Sequence, residues 1–468
     1  MNLRQPWLWW LVVLGAAAAG IRSLSAEAYL GIAAFVLLGL TALLATLRQA
    51  RAPFHGLALL LLLAVAAPFD VAGGLNAPFL LAGFLCVAWL IRGLMARRSL
   101  SLDSSRFAMA TLAFLAVTVL AFVVGQYPWF PAAPAPMAAQ VGGLAIFLVS
   151  AGLVLVVGHQ VASLSQLERL TWVFLGLGTV IVISQVVPTF GLGRYLDRVT
   201  RPETIGSMFW VWFVAISLSQ GLFNTAVSRP WRAALAGIGV LALARGFFLA
   251  FSWVSGWFPP LIAAGVLLLV RFPRTTLGAG LLMIAPVVAA SGPAIDALMA
   301  GESYSWMTRL EAFGVIGRLL ERNPWLGFGP ANYYHYTLLY PILGWWVRFN
   351  SHSTYIDLVA QVGIVGLVIF AWLVFEAGRT ALALRSRLPA GFARAYAIGT
   401  FAALAASLVA AALADWIIPF VYNIGFRGFR SSVLFWFFLG GLLAVKRLVA
   451  LGPEGERGWR GLHREGLA

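Results

Sequence analysis

Long apolar runs separated by short polar segments dominate the chain. A run of about 20 apolar residues can cross the hydrocarbon core of a bilayer as an α-helix. Such runs lie near residues 7–24, 28–47, 55–69, 77–95, 107–125, 137–158, 169–187, 207–227, 233–251, 254–270, 275–291, 354–376, 394–414 and 431–449. The pattern predicts an all-α fold, a polytopic transmembrane helix bundle of about fourteen spans, or about twelve if the less distinct runs are not separate helices. The two runs that meet around 251–254 could also form one broken helix.

The polar segments between the runs predict the orientation of the bundle. Basic residues collect in alternate connections, at Arg48, Arg51, Arg97, Arg98, Arg229, Arg232, Arg271, Arg274, Arg379, Arg385, Arg387, Lys446 and Arg447. Because basic residues accumulate on the cytoplasmic side of membrane proteins, both termini are expected there. The opposite face receives the segment 292–353, a loop of about sixty residues. A loop of that length in a compact membrane protein is unusual and is often functional.

Composition and charge agree with a membrane protein. Hydrophobic residues make up 61% of the chain and charged residues 10%, and the mean hydropathy is +0.91. The net charge of +16 would also suit a nucleic-acid-binding protein, but the basic residues are spread among the connections between spans. Membrane lipids, and not nucleic acid, are therefore the expected partners. The single cysteine, Cys86, lies in an apolar run and supports neither a disulfide nor a thiolate metal site.

The long loop contains a segment with helical periodicity. Apolar residues recur at helical spacing over 305–323, at Trp306, Leu310, Phe313, Ile316 and Leu320. They predict an amphipathic helix that ends at the glycine- and proline-rich turn 323–330. Arg309 falls within the apolar stripe, where a charge is costly without a partner. A phosphate group could be that partner, and so could a neighbouring carboxylate or carbonyl group.

A histidine follows in the last polar part of the same loop. Thr354 and Asp357 have the spacing of a capping box, so a helix is expected to begin at Thr354 with His352 just outside it. Helix N-termini favour anions, and a neutral imidazole can accept a proton. The same histidine could instead serve only as a capping residue at the membrane interface. Gly363 and Gly366 are expected on nearly the same helix face as His352, where small residues allow another helix to approach.

The order of these features resembles the O-antigen ligase and polymerase superfamily of bacterial envelope glycan enzymes. In that family the external loop carries an arginine motif (Arg, three residues, Leu) and a histidine motif (His, ten residues, Gly). Here the sequence offers Arg309, the turn 324–330 and His352 with Gly363 after ten residues. The resemblance covers about 233–376. It departs from the family at Phe313, which replaces the leucine, and at Ser353, which replaces a common asparagine.

The resemblance implies transfer of a glycan from an undecaprenyl-pyrophosphate carrier to a sugar hydroxyl, at the periplasmic face of the bacterial inner membrane. The acceptor would be lipid A core in a ligase or a growing glycan in a polymerase, and both remain open. His352 would act as the base, Arg309 would bind the pyrophosphate, and the anomeric centre would be inverted. Further candidates for substrate binding are Arg245, which is preceded by Ala244 where the family often has Ser-Arg, together with Arg318 and Arg348.

No cofactor and no metal are expected for this reaction. The chain contains no Asp-x-Asp or Asp-x-Glu pattern, and the acidic residues of the long loop lack the spacing of a cation site. The rival function is a membrane transporter or flippase of a lipid-linked glycan. Such carriers usually have ionisable residues near the bilayer midplane and internal repeats, whereas Asp357, Glu376 and Asp415 fall near predicted helix ends. A catalytically inactive scaffold also remains open.

The chain is thus expected to have four parts. Residues 1–232 form N-terminal transmembrane helices, and 233–376 form a ligase- or polymerase-like core that includes the loop 292–353. Residues 377–450 form C-terminal transmembrane helices. Residues 451–468 form a cytoplasmic tail.

Overall fold

The structure, a computed structural model, describes residues 52–66, 70, 75–97, 103–187, 202–278 and 307–465. The described part is helical, and its only β-type pairings are two isolated bridges. The helices are α1 (Ala52–Val65), α2 (Ala77–Arg97), α3 (Arg106–Val124), α4 (Met137–Gln160), α5 (Leu164–Val186), α6 (Pro202–Phe223), α7 (Arg229–Leu249), α8 (Val254–Arg271), α9 (307–320), α10 (Tyr333–Tyr336), α11 (Thr354–Arg387), α12 (Phe392–Leu413) and α13 (Gly425–Glu465).

Ten of the described helices are long and apolar enough to cross a membrane, and Pro53–Val65 is a shorter apolar helix. They coincide with the apolar runs predicted from residue 55 onward, so the all-α polytopic bundle is confirmed and the protein is a multi-pass membrane protein. The predicted spans 7–24 and 28–47 lie outside the described residues, as does 275–291 apart from its start. The runs that meet around 251–254 are separate helices, α7 and α8.

Two helices extend beyond their predicted ends. Helix α11 continues to Arg387, where 376 was expected. Helix α13 passes a break at Gly452 and continues to Glu465, so the segment expected as a tail continues in helical conformation. Apolar length predicts only the part of a helix that lies in the bilayer, because a polar continuation does not change the hydropathy signal.

Helix α6 lies at the centre of the bundle. It packs against α7, α8, α12 and α13. Its aromatic residues Trp210, Trp212 and Phe213 are buried, and the ring of Trp212 stacks on that of Phe438 with centroids 5.0 Å apart. A helix that is apolar on all sides is expected at such a buried position.

Arginines cap the C-terminal ends of neighbouring helices. Arg232 donates to Gly221 O at the end of α6 (3.0 Å), Arg430 donates to Ala64 O at the end of α1 (2.7 Å), and Arg447 donates to Val161 O after α4 (2.6 Å). The last carbonyl groups of a helix have no intrahelical donor, and its dipole is negative there. Part of the net positive charge therefore stabilises the bundle itself.

Helix α11 is broken at Gly363, where a distant turn inserts into it. Gly363 has φ 71° and ψ −176°, outside the helical region. The turn 324–329 supplies the hydrogen bonds that the helix loses: Phe328 N donates to Ala360 O (3.0 Å), Gly329 N to Gln361 O (3.0 Å), Ile364 N to Pro324 O (2.8 Å) and Val365 N to Trp325 O (3.1 Å). Backbone groups at membrane depth must find partners inside the protein, and this exchange satisfies four of them.

The expected role of Gly363 is therefore wrong. A side chain at Gly363 would overlap the backbone of Trp325, and one at Gly327 (φ 62°) would lie 2.6 Å from Ala360 O. Both glycines are required for the approach of a turn to a helix, and not for the packing of two helices. Because α11 is interrupted, Gly363 also does not continue the helix face below His352.

The inserted turn is held from its other side by Asn332. The Asn332 amide donates to Phe328 O (2.8 Å) and to Gly125 O (3.1 Å), and its oxygen accepts from Ala135 N (3.0 Å). These bonds fasten the turn to the end of α3 and to the segment before α4. The turn is thus held between α11 on one side and the segments next to α3 and α4 on the other.

Candidate functional site

Several helix ends meet around His352 at one end of the bundle. His352 immediately precedes Ser353, the N-cap of α11. Its backbone has φ 51°, in the left-handed region that residues other than glycine rarely adopt. Such a conformation persists only where the surrounding structure enforces it, and it is frequent at functional sites.

A buried carboxyl group holds the backbone beside the histidine. The carboxyl group of Asp357 accepts hydrogen bonds from the Tyr333 hydroxyl and from Ser351 Oγ, the latter at 2.7 Å. Asp357 and Ser351 are both buried. Burial, followed by the negative charge of Asp357, raises the pKa of Tyr333 well above its usual value, so the phenol is a hydrogen-bond donor.

The predicted capping box at this helix start is wrong. Ser353, and not Thr354, is the N-cap, and Thr354 Oγ1 donates to Ala414 O just beyond the end of α12 (3.0 Å). Asp357 turns away from the helix N-terminus toward Tyr333. Both side chains find partners in other elements, and these replace the local bonds that the sequence pattern suggests.

The ring of His352 lies beside an amide and a second buried carboxyl group. Its Nδ1 is 3.4 Å from Asn423 Nδ2, which in turn is 2.5 Å from Asp415 Oδ1. Asp415 is fully buried, and its Oδ2 accepts from Phe420 N (2.7 Å). Burial raises the pKa of Asp415 above its usual value.

Arg309 lies close to this histidine. Burial and then the positive charge of Arg309 lower the pKa of His352 below its usual value, so the imidazole is neutral near pH 7. Arg309 Nη1 donates to Leu413 O, the last residue of α12 (3.1 Å). The expected amphipathic helix is present over 307–320, and the structure shows the carbonyl partner that the sequence had offered as one alternative.

The buried face of α9 differs from the predicted stripe. Ala312, Val315, Ile316 and Leu319 are buried, whereas Leu310 is 66% exposed. Arg309 nevertheless lies on the packed side, because it is three residues before Ala312 and seven before Ile316. The predicted stripe differs from the buried face because small residues such as Ala312 can belong to the core without contributing strongly to a hydrophobic pattern.

The other candidate arginines have separate surroundings. The guanidinium of Arg245, near the end of α7, lies 4.7 Å from the ring centroid of Trp210. Arg318 is exposed on α9 and lies 4.8 Å from the ring centroid of Tyr340. In the described part of the chain no hydrogen bond or ion pair joins these two residues, or Arg348, to His352.

Arg348 belongs to an aromatic group that the sequence analysis did not find. His335 Nε2 is 3.1 Å from the Tyr422 hydroxyl, and the ring of Tyr422 stacks on Tyr334 with centroids 4.5 Å apart. Burial, and then the charge of Arg348, lower the pKa of His335. The run of aromatic residues and histidine at 333–336 was the only sequence signal for this group.

The site also extends beyond the predicted core 233–376. Leu413, Asp415 and Asn423 belong to the C-terminal part of the chain, yet they contact Arg309 and His352 directly or through one amide. Among the described residues, no three His, Cys, Asp or Glu side chains come together as a metal site.

Comparison with known proteins places this region in a family. No curated protein matches the chain. Residues 232–371, which contain Arg309 and His352, match the profile of the family described as O-antigen ligase. This region is therefore similar to the O-antigen ligase/polymerase superfamily, and the match supports a membrane glycosyltransferase of that general type.

Proposed function

We propose that this protein transfers a glycan from an undecaprenyl-pyrophosphate carrier to a sugar hydroxyl group. The observation that supports this most directly is that Arg309 and the start of α11 beside His352 bind neighbouring carbonyl groups, Leu413 O and Ala414 O, so that a permanent cation lies near a neutral imidazole. A cation suits a pyrophosphate leaving group, and a neutral imidazole suits a hydroxyl nucleophile.

In the proposed step His352 takes the proton of the acceptor hydroxyl, and the acceptor oxygen forms a bond to the anomeric carbon. The bond between that carbon and the carrier pyrophosphate breaks, and its electron pair leaves with the phosphate oxygen. Attack opposite the leaving group inverts the anomeric centre. The leaving group is already stable as an anion, so Arg309 needs to neutralise charge and not to donate a proton, and no metal is needed.

The remaining arginines receive supporting roles in substrate binding. Arg245 is half-buried against Trp210 and is proposed as a second contact for the pyrophosphate. Arg318 and Arg348 are exposed and are proposed to contact the glycan outside the bundle. Arg348 lies close to the stacked rings of Tyr334 and Tyr422, and aromatic faces of this kind can also pack against sugars.

The site is proposed to face the periplasm from the bacterial inner membrane. Helix α11 begins beside the site at Thr354 and ends at Arg387 at the opposite end of the bundle, where Arg379 and Arg385 also lie. Basic residues of this kind mark the cytoplasmic end. A lipid-linked glycan would then reach the site after its transfer across the membrane.

The acceptor is lipid A core or a growing carrier-linked glycan. Purified protein in nanodiscs would be given a carrier-pyrophosphate glycan with each acceptor in turn, in the presence of EDTA. A new glycosidic product with lipid A core would assign a ligase, and one with the carrier-linked glycan a polymerase. If neither product forms while the protein moves the donor across sealed vesicles, the transporter function is correct and our proposal fails.

A further inference from the structure

The side-chain amide of Asn423 lies between the ring of His352 and the buried carboxyl group of Asp415. Asn423 Nδ2 is 3.4 Å from His352 Nδ1 and 2.5 Å from Asp415 Oδ1. One end of one amide thus faces both an ionisable ring and an ionisable acid. Whether the Asn423 amide donates or accepts must therefore be the same toward His352 and toward Asp415.

An asparagine amide presents either its NH₂ group or its oxygen to a given neighbour. If the NH₂ group faces both neighbours, Asp415 is an ionised acceptor and Nδ1 of His352 accepts. The single proton of the neutral ring is then on Nε2. If the oxygen faces both neighbours, Asp415 must donate a proton and Nδ1 must carry one, which leaves a lone pair on Nε2.

The second arrangement suits the geometry around Asp415. Phe420 N donates to Oδ2 at 2.7 Å, so a proton on Asp415 resides on Oδ1 and points to Asn423. The separation of 2.5 Å between Oδ1 and the Asn423 amide is short for an N–H···O bond and within the range of O–H···O bonds. Because Nδ1 faces Asn423, an acceptor hydroxyl must approach Nε2.

We propose that Asp415, acting through the amide of Asn423, sets which ring nitrogen of His352 carries the proton, so that the base-competent histidine arises when Asp415 is protonated. Asp415 and Asn423 are then positioning residues for the reaction. This inference rests on the proposed role of His352 as the base. It adds a condition that the family motifs do not contain, namely the protonation of a third group.

In this relay of Asp415, Asn423 and His352, burial favours the protonated acid and raises the pKa of Asp415 to about 6, while the hydrogen bonds that Asp415 accepts act in the opposite direction. Asp415 is fully buried and forms no salt bridge within the described residues. The carboxyl group of Asp357 is close enough to interact with it, as is the phenol of Tyr333. Arg309 is the cation that acts on His352 from α9. A bound pyrophosphate donor would add negative charge here and would further favour protonation of Asp415, so donor binding would promote the base-competent form.

The inference can be tested without measuring glycan transfer. The chain has five histidines, so NMR of protein labelled with ¹⁵N-histidine can be assigned by comparison with His352→Ala. At pH 9 the native protein should carry the His352 proton on Nε2. In Asp415→Asn the side-chain oxygen at position 415 accepts the hydrogen bond from Phe420 N, and the side-chain NH₂ group donates to the oxygen of Asn423. That oxygen then also faces His352, which should carry its proton on Nδ1. The same tautomer in both proteins at pH 9 would overturn the inference.

Two further variants complete the test. Asn423→Leu removes the amide that connects Asp415 to His352. Adding Asp415→Asn to this variant should therefore leave the His352 tautomer unchanged. Asp103→Asn, at the opposite end of the bundle, should have no effect on His352.

An activity measurement separates the relay from the proposed function. The native rate should fall as the pH rises and Asp415 becomes ionised. Transfer by Asp415→Asn should persist at these higher pH values. If the tautomer changes as expected but His352→Ala still transfers glycan at the native rate, the relay is correct and His352 is not the base.

Discussion

The α-carbon of Gly363 faces the backbone carbonyl group of Trp325 so closely that no side chain fits between them. This contact joins the two halves of the broken helix α11 to the turn that Asn332 also holds. Gly363→Ala should therefore destabilise the protein by more than about 2 kcal/mol, because alanine meets both a steric overlap and a left-handed backbone. Thermal unfolding in detergent measures this. Gly265→Ala, where a Cβ would meet nothing within 4 Å, should be close to neutral, and an equal loss in both variants would refute the role of Gly363.

Orientation in the membrane can be tested with single cysteines in a Cys86→Ala background. Glu321 and Ser386 are exposed at opposite ends of the bundle. If the site faces the periplasm, Glu321→Cys should react with an impermeant thiol reagent added outside intact inner membranes, and Ser386→Cys should not. The reverse labelling would place His352 in the cytoplasm and would exclude the proposed reaction at the periplasmic face.

Arg309 and Arg318 lie on the same helix and provide a matched pair. Arg309→Lys should impair transfer strongly, because an ammonium group cannot make the planar two-pronged contact of a guanidinium with phosphate. Arg318→Ala loses a contact with the Tyr340 ring and should have a mild effect. Initial rates with a saturating acceptor measure both. Equal activity of Arg309→Lys and the native protein would leave Arg309 as a helix-capping residue that binds Leu413 O.

The acid limb of the pH profile depends on the charge of Arg309. Burial and this charge lower the pKa of His352, and the base is present only above that pKa. Removing the cation in Arg309→Gln should raise the pKa of His352. The ring then becomes protonated, and stops acting as a base, at a higher pH than in the native protein. NMR titration of the ring in both proteins measures the change. An unchanged or lower pKa in Arg309→Gln would show that the two side chains do not interact.

The helices could be predicted from the sequence, and Arg309 and His352 could be named as candidates, because each leaves a local signal. Apolar length marks a span, and the two residues lie in short motifs. The break at Gly363 could not be predicted, because its partner is the turn 324–329, and nothing near Gly363 in the sequence indicates that this turn inserts there. Asp415 and Asn423 were missed for the same reason, since only the approach of α12 and α13 to the start of α11 brings them to His352.

The most direct test of the account is the transfer rate of His352→Ala with a carrier-pyrophosphate glycan donor in nanodiscs. Loss of a general base typically lowers the rate by about 10²–10⁴-fold. We predict a loss of this size, with protein yield, thermal stability and donor binding close to native. His55→Ala, a histidine change on α1 at the opposite end of the bundle, should transfer glycan normally. Turnover by His352→Ala within a few-fold of the native rate would contradict the account and would reduce His352 to a residue that only shapes the start of α11.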